Sequence, residues 1–337
     1  CNNQGSATQD PMLVRWSDQE SAVNWTPAST NQAGGLNLSR GTEIVAAKQA
    51  RQEVLVWSDS ALYSMQYVGA PAVWGAQLVG DNISIASQNS VAFANGVAYW
   101  MGKDKFYKYD GRTQPLRCDV KRHIFNDINT LQYDQFFAGT SEAFHEIWWF
   151  YCSTGQTNID RYAIYNYLED TWYYGSLGRT AWLDSGLRNF PLAATYSNNL
   201  VNHEDGIDDN ETGANSAITA SISSSQFDIG DGNRFGLVSR VLPDMTFKGS
   251  TTGAPAATLT LQPMANSGSG YNSPLSESGN SSGTVTRNAT APIEQFTEEL
   301  YVRVRGRQMV LKVESTAQGV MWQLGTPRLD TRPDGRR

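Results

Sequence analysis

The sequence predicts an all-β protein: a β-propeller, either complete or lacking its N-terminal blades, followed by a smaller antiparallel β-sandwich-like domain. Three observations carry that expectation. A tryptophan-centred hairpin recurs along the first two thirds of the chain. The 30 Gly, 12 Pro, 10 Trp, 15 Tyr and 12 Phe, with abundant Ser, Thr and Asn, suit many short strands joined by turns, and no segment has the period of a long amphipathic helix. From about residue 213 the repeat stops and strict alternation takes over.

The repeat is the first signal to weigh, because a period of this length determines the architecture. "LVRWSDQESAVNWTPAS" centres on Trp16, "VLVWSDSALYSMQYVGA" on Trp57, "VAYWMGKDKFYKYDGRT" on Trp100 and "IWWFYCSTGQTNIDRYAIYNYLEDTWYYG" on Trp149, and a weaker copy, "LAATYSNNLVNHEDG", puts Tyr196 at the equivalent point. The intervals are 41, 43, 49 and 47 residues. Each copy reads as a strand ending near Trp, a polar turn such as Ser58-Asp59-Ser60 or Gly102-Lys103-Asp104, and a return strand alternating Tyr or Phe with polar residues. Further short strands lie between, and Asn95-Gly96 marks one tight turn. About four strands per copy is the arithmetic of a propeller blade. The aromatic density follows from that packing: a blade lies between two neighbours, so both faces of its inner strands are buried and period-2 alternation blurs. Packing, rather than ligand binding, is the ordinary role of each Trp.

Residues 1–212 are therefore expected to form the blades, and 213–337 a C-terminal antiparallel β domain with a long polar, Gly/Ser-rich loop over 265–292. In "LYVRVRGRQMVLKVE", Leu300, Val302 and Val304 alternate with Tyr301, Arg303 and Arg305, which predicts a two-faced strand with one basic face turning at Gly306-Arg307. The chain opens "CNNQGSATQDP" with no initiator Met, as a processed product or part of a longer chain would.

Charge and motifs narrow the function. With 33 acidic and 26 basic residues the net charge is −7, which argues against a protein whose main task is gripping phosphates. Cys1, Cys118 and Cys152 are odd in number and widely spaced, so reduced, packed thiols are expected rather than a disulfide framework or zinc site. No run of about 18 apolar residues predicts a membrane span. The three His, at 123, 145 and 203, show no metal-binding spacing, and no G-x-S-x-G elbow, P-loop or dinucleotide fingerprint occurs. No catalytic residue, cofactor or metal is expected. Two charged stretches are candidate sites. "HEDGIDDNETG" gathers Glu204, Asp205, Asp208 and Asp209 into an acidic loop, whose plainer reading is a solvated linker. "RLDTRPDGRR" gathers Arg328, Arg332, Arg336 and Arg337, either a solvated tail or a set of subunit-contact or DNA-proximal cations.

The run from "QDPMLVRWSDQESAVNW" through "FANGVAYWMGKDKFYKYDGR", together with the closing "VRVRGRQMVLKVES" and "WQLGTPRLDTRPDGRR", resembles bacteriophage tail proteins called packaged-DNA stabilisation, tail hub or nozzle proteins. The resemblance touches both ends of the chain and is weakest over 205–295. It implies a structural, non-enzymatic virion protein, assembled in the host bacterial cytoplasm. It further implies a ring of subunits, usually six, between an adaptor above and tail fibre or needle proteins around or below, with viral double-stranded DNA passing through. An acidic chain suits a conduit, which should not hold the polymer it conducts. Two readings from other classes stand beside it: a tail-tip propeller that binds a receptor or glycan, and a propeller glycosidase working through a carboxylate pair.

Overall fold

The computed structural model describes residues 8–229, 231–265 and 288–335. The chain divides into two compact units, Cys1–Glu204 and Asp205–Arg337. The division thus falls eight residues before the expected boundary at 212/213, because the acidic stretch after Asp205 already belongs to the second unit.

The first unit is a series of antiparallel sheets taken in chain order. It opens with β1 (Leu13–Trp16) paired to β2 (Gly34–Asn37). Three four-stranded meanders follow. The first comprises β3 (Ile44–Gln49), β4 (Val54–Ser58), β5 (Ala61–Gly69) and β6 (Val73–Asp81). The second comprises β7 (Val91–Ala94), β8 (Val97–Met101), β9 (Phe106–Tyr109) and β10 (Thr113–Pro115). After a short helix, α1 (Lys121–Asp127), comes the third, of β11 (Phe137–Ser141), β12 (Glu146–Tyr151), β13 (Arg161–Asn166) and β14 (Thr171–Ser176). A three-stranded sheet of β15 (Ala181–Leu183), β16 (Leu192–Ala194) and β17 (Leu200–Asn202) ends the unit. The expected all-β, propeller-like fold is therefore present, with full four-stranded blades at the three central repeats.

Trp57, Trp100 and Trp149 each occupy the second strand of a blade and are fully buried. They lie on the packing between blades. Trp57 meets Trp100 edge-on at 5.4 Å, and Trp149 lies 4.7 Å from Phe106. The indole N–H groups of Trp100 and Trp149 donate to the carbonyls of Ser84 and Ser90 in the segment leading into β7, whereas Trp57 Nε1 is buried without a hydrogen-bond partner among the described residues. Ser87 Oγ donates to the Phe136 carbonyl at 2.6 Å and Ala138 N to the Asn89 carbonyl at 2.7 Å, tying β7 to β11. In the first blade Asp59 holds the turn, accepting from both Thr42 N and Thr42 Oγ1 at 2.8 Å.

The outermost copies of the repeat depart from the expected hairpin. Trp16 ends β1, but its partner strand is β2, eighteen residues on, because the intervening "SDQESAVNWTPAS" forms turns held by Asp18 rather than a return strand. Tyr196 lies in the turn between β16 and β17 and is part-exposed; its hydroxyl accepts from Ile159 N.

The second unit is a sandwich. After the small pair β18 (Asp208–Asp209) and β19 (Ser216–Ala217), one sheet runs β20 (Ala220–Ser223), β27 (Gln308–Ser315), β24 (Ala256–Met264) and β25 (Ala289–Glu294), with β21 (Phe227–Asp228) also on β27. The other runs β26 (Leu300–Gly306), β22 (Gly236–Leu242) and β29 (Arg328–Pro333), and β23 (Met245–Thr246) pairs with β28 (Gln323–Leu324). The core is aliphatic, built from Val238, Val241, Leu259, Leu261, Ile293, Val304, Met309 and Val313. The expected loop over 265–292 is shorter than its composition suggested: Ala289–Glu294 forms β25 against β24, and residues 266–287 lie outside the described part of the chain.

Candidate functional site

The sequence-selected acidic loop is divided by the fold. Glu204 closes the first unit, whereas Asp205 opens the second. Asp208 Oδ1 accepts from Gly319 N at 2.8 Å, and Asp209 Oδ1 accepts from Glu211 N at 2.9 Å. Both aspartates thus hold backbone, as short acids in turns commonly do.

Glu204 instead joins a group of residues that sequence reasoning missed. In β12, alternation puts Glu146, Trp148 and Phe150 on one face and Ile147, Trp149 and Tyr151 on the other. The first face meets the sheet of β15, β16 and β17: Trp182 stacks on Trp148 at 5.0 Å with 19° between planes, and lies 5.6 Å from Phe150. Gly139 allows that approach, since a Cβ there would sit 2.3 Å from Trp182 Cδ1. Trp182 Nε1 donates to the Thr140 carbonyl and its ring meets His203 at 4.7 Å. His203 Nε2 in turn accepts from Nε of the buried Arg179 at 2.9 Å.

Two carboxylates border this aromatic shelf. Burial pushes the Glu146 carboxyl above its ordinary value, a hydrogen bond from Trp148 Nε1 at 3.0 Å partly offsets that, and the charge of Glu204 adds to the rise. Glu204 keeps surface exposure, yet the packing around its carboxyl raises it too. The Tyr162 hydroxyl is likewise raised by burial and then by Glu146. Close by, Asp184 at the end of β15 ties the last sheet to the third blade, its Oδ2 accepting from Thr140 Oγ1 at 2.7 Å and Glu142 N at 3.0 Å. Trp148 is itself buried, so the half-buried Trp182 is what this group presents at the surface, beside two carboxyls whose ionisation burial disfavours. Period-2 reading of "HEIWWFY" could have placed Glu146 beside Trp148, but nothing local links that stretch to Glu204, 58 residues later.

Of the arginine candidates, Arg328 and Arg332 lie on the solvent face of the β26–β22–β29 sheet. Register places Arg305, Leu237 and Arg332 in one row, Tyr301, Arg240 and Asp330 in the next, and Leu242 beside Arg328. Val238, Val241 and Val304 point the other way into the core. This is the basic strand face expected from the alternation, with Arg328 and Arg332 exposed on it. Arg336 and Arg337 lie outside the described residues. Arg240 is held between Glu299 at 2.9 Å and Asp330 at 2.7 Å, and Arg305 pairs with Asp334 while lying 4.2 Å above the Phe235 ring. Arg303, Arg328 and Arg332 have no partner among the described residues.

Other features are structural. A polar cleft of about 650 Å³ is lined by Arg122, His123, Asp127, Arg161 and Tyr174, but Arg161 is engaged by Asp127 and Asp160, each at 3.6 Å. Burial pushes the thiols of Cys118 and Cys152 up to about 11, which leaves them protonated and unreactive near neutrality. Among the described residues no group of three or more His, Cys, Asp or Glu is arranged to hold a metal, and no helix is long and apolar enough to cross a membrane.

No family model matches the chain, and no curated protein does. Among solved structures it is similar to an exo-beta-1,3-galactanase from Phanerochaete chrysosporium determined with galactose, at 7% identity over 82% of this chain and 78% of that one, with a TM-score of 0.24. A likeness that faint carries no argument about function.

Proposed function

We propose that this chain is a structural, non-enzymatic subunit of a bacteriophage tail, one of a ring that forms the nozzle or hub through which viral DNA passes. In that role it sits in the virion between an adaptor and the fibre or needle proteins, and is assembled in the host cytoplasm. The sequence resemblance suggests the reading. The observation that supports it is the outer face of the last sheet in the first unit. Register puts Ala181, Ala194 and Leu200 in one row of that face and Leu183, Leu192 and Asn202 in the next, five apolar residues of six and no charge. Leu183 and Leu200 are exposed at 58% and 72%. Every other blade in the series covers such a face with the next sheet, so an uncovered one is the surface expected of a subunit with neighbours. A tail reconstruction computed without imposed symmetry tests this: the chain should form a closed ring about the DNA axis, and separated copies at the tip would overturn it.

The second reading, a glycan-binding or glycan-cleaving tip protein, draws on the Trp148–Trp182 shelf with Glu146 and Glu204. It predicts binding of host surface polysaccharide that Trp182→Ala abolishes, and turnover lost in Glu146→Gln if cleavage occurs.

A further inference from the structure

The arginine face of the second unit has features of a contact surface rather than a solvated one. Its cations are all arginines, whose planar forks pair two-point with carboxylates. Three of them are already fixed in place: Arg240 by Glu299 and Asp330, Arg305 by Asp334, and both Arg305 and Arg307 by the ring of Phe235. Ordering long side chains in advance lowers the entropy cost of binding. Arg303, Arg328 and Arg332 are left exposed and, among the described residues, unpaired, beside Tyr301, which is 77% exposed. The carboxylates set among them would repel a phosphate backbone running across the face, but they suit a protein surface of mixed charge.

The first unit offers the complement. Where the third blade meets the last sheet, Glu142 and Asp184 adjoin, both charges acting on the Tyr167 hydroxyl, and Glu146 and Glu204 lie on the same blade-and-sheet pair. None of these four carboxylates has a cationic partner among the described residues. Both units are net acidic, so the complementarity is local: carboxylates without counter-charges on one patch and unpaired arginines on another, among the described residues, are how a head-to-tail contact between identical chains is encoded.

We propose that the face bearing Arg303, Arg328 and Arg332 docks on the acidic Glu142–Asp184 surface of a second copy of this chain, setting the order of subunits in the ring. The inference rests on the ring reading above. Its test uses the full chain, with mass measured in solution across salt concentrations. The wild type should self-associate at low salt and weaken by about tenfold or more as salt screens the contact. The R303E/R328E/R332E variant should stay monomeric, and mixing it with an E142K/D184K variant should restore assembly between the two. Because all three arginines are exposed, circular dichroism should confirm an intact fold. Wild-type assembly that is indifferent to these charge reversals overturns the inference and leaves the ring standing. A wild type that does not self-associate, but binds a short DNA duplex with a salt dependence lost in the arginine variant, overturns it in favour of a nucleic-acid contact. A wild type that does neither also overturns it; the ring itself is judged by the tail reconstruction.

Discussion

The two units bury their strands by different means. In the blades of the first unit, β12 lies between two neighbours, so Trp149 packs on Phe106 from one face while Trp148 packs on Trp182 from the other. In the sandwich, β26 has one core face of Leu300, Val302 and Val304 and one solvent face of Tyr301, Arg303 and Arg305. A laminated sheet needs flat, wide side chains that fill the gap to the next sheet from both sides, whereas a two-layer sandwich fills its single interior with branched aliphatics and leaves the other face for recognition. The consequence is functional as well as structural. The blades can contact partners mainly at their edges and at the ends of the series, while the sandwich can offer a whole sheet face.

The largest test of that contrast removes one core residue from each unit. Trp149→Ala and Leu259→Ala each empty a fully buried position, and should cost about 3–5 and 2–5 kcal/mol respectively. The two losses should be distinguishable by probe. Nine of the ten tryptophans lie before residue 205 and only Trp322 after it, so indole fluorescence reports the first unit almost alone. Trp149→Ala should lower the fluorescence midpoint in denaturant. Leu259→Ala should leave that midpoint in place and lower the one followed by far-ultraviolet circular dichroism. Equal shifts in both signals for both variants would mean that the units unfold as one, and the contrast would fail as an energetic statement.

A smaller effect is expected at the end of the blade series. Gly139→Ala places a methyl group 2.3 Å from Trp182 Cδ1, so the ring must leave its stack on Trp148. The expected cost is about 1–3 kcal/mol, the range for overpacking a well-filled site, with near-ultraviolet circular dichroism losing part of the tryptophan signal. An unchanged spectrum and midpoint would show that the last sheet is held by its backbone ties rather than by the ring.

How legible each region was follows from the same physics. Trp57, Trp100 and Trp149 announced the central blades because identical burial at a fixed period leaves a period in the sequence. Trp16 and Tyr196 did not behave alike, since the end sheets have a neighbour on one side only and that repeated demand lapses there. Alternation in "LYVRVRG" gave the basic face directly, as one-sided burial should. The pairing of that face across three strands could not be read, because the bulge between Val238 and Arg240 shifts the register by a residue that leaves no local mark. Glu204 was singled out for its acidic neighbours, yet burial is what raises its carboxyl and its charge bears on Glu146, far away in sequence, while Asp208 and Asp209 hold backbone elsewhere.

The smallest and most specific prediction concerns those carboxylates. Glu146 and Glu204 are raised by burial, so the native state holds their protons more tightly than the unfolded chain does, whose carboxyls titrate near 4.5. Such a group favours the fold while protonated, and that contribution is lost as pH rises through the raised native value. Ionising either side chain works against a site that resists the charge, and E146Q or E204Q should therefore raise the melting temperature at pH 7, by about 1–3 °C given their partial exposure. The gain should vanish near pH 4, where the wild-type groups are already protonated. Asp59 supplies the opposite sign on the first blade. Burial pushes it up, but the hydrogen bonds from Thr42 N and Oγ1, together with those of the Glu43 and Asp59 backbone, outweigh burial and leave it lowered. D59N should therefore destabilise at pH 7, with the deficit closing as pH falls below the native value. If E146Q instead lowers the melting temperature at pH 7, as D59N should, the carboxylates beside Trp182 are not resisting ionisation. The surface around them would then be an ordinary solvated edge, with no claim to bind either a glycan or a neighbouring subunit.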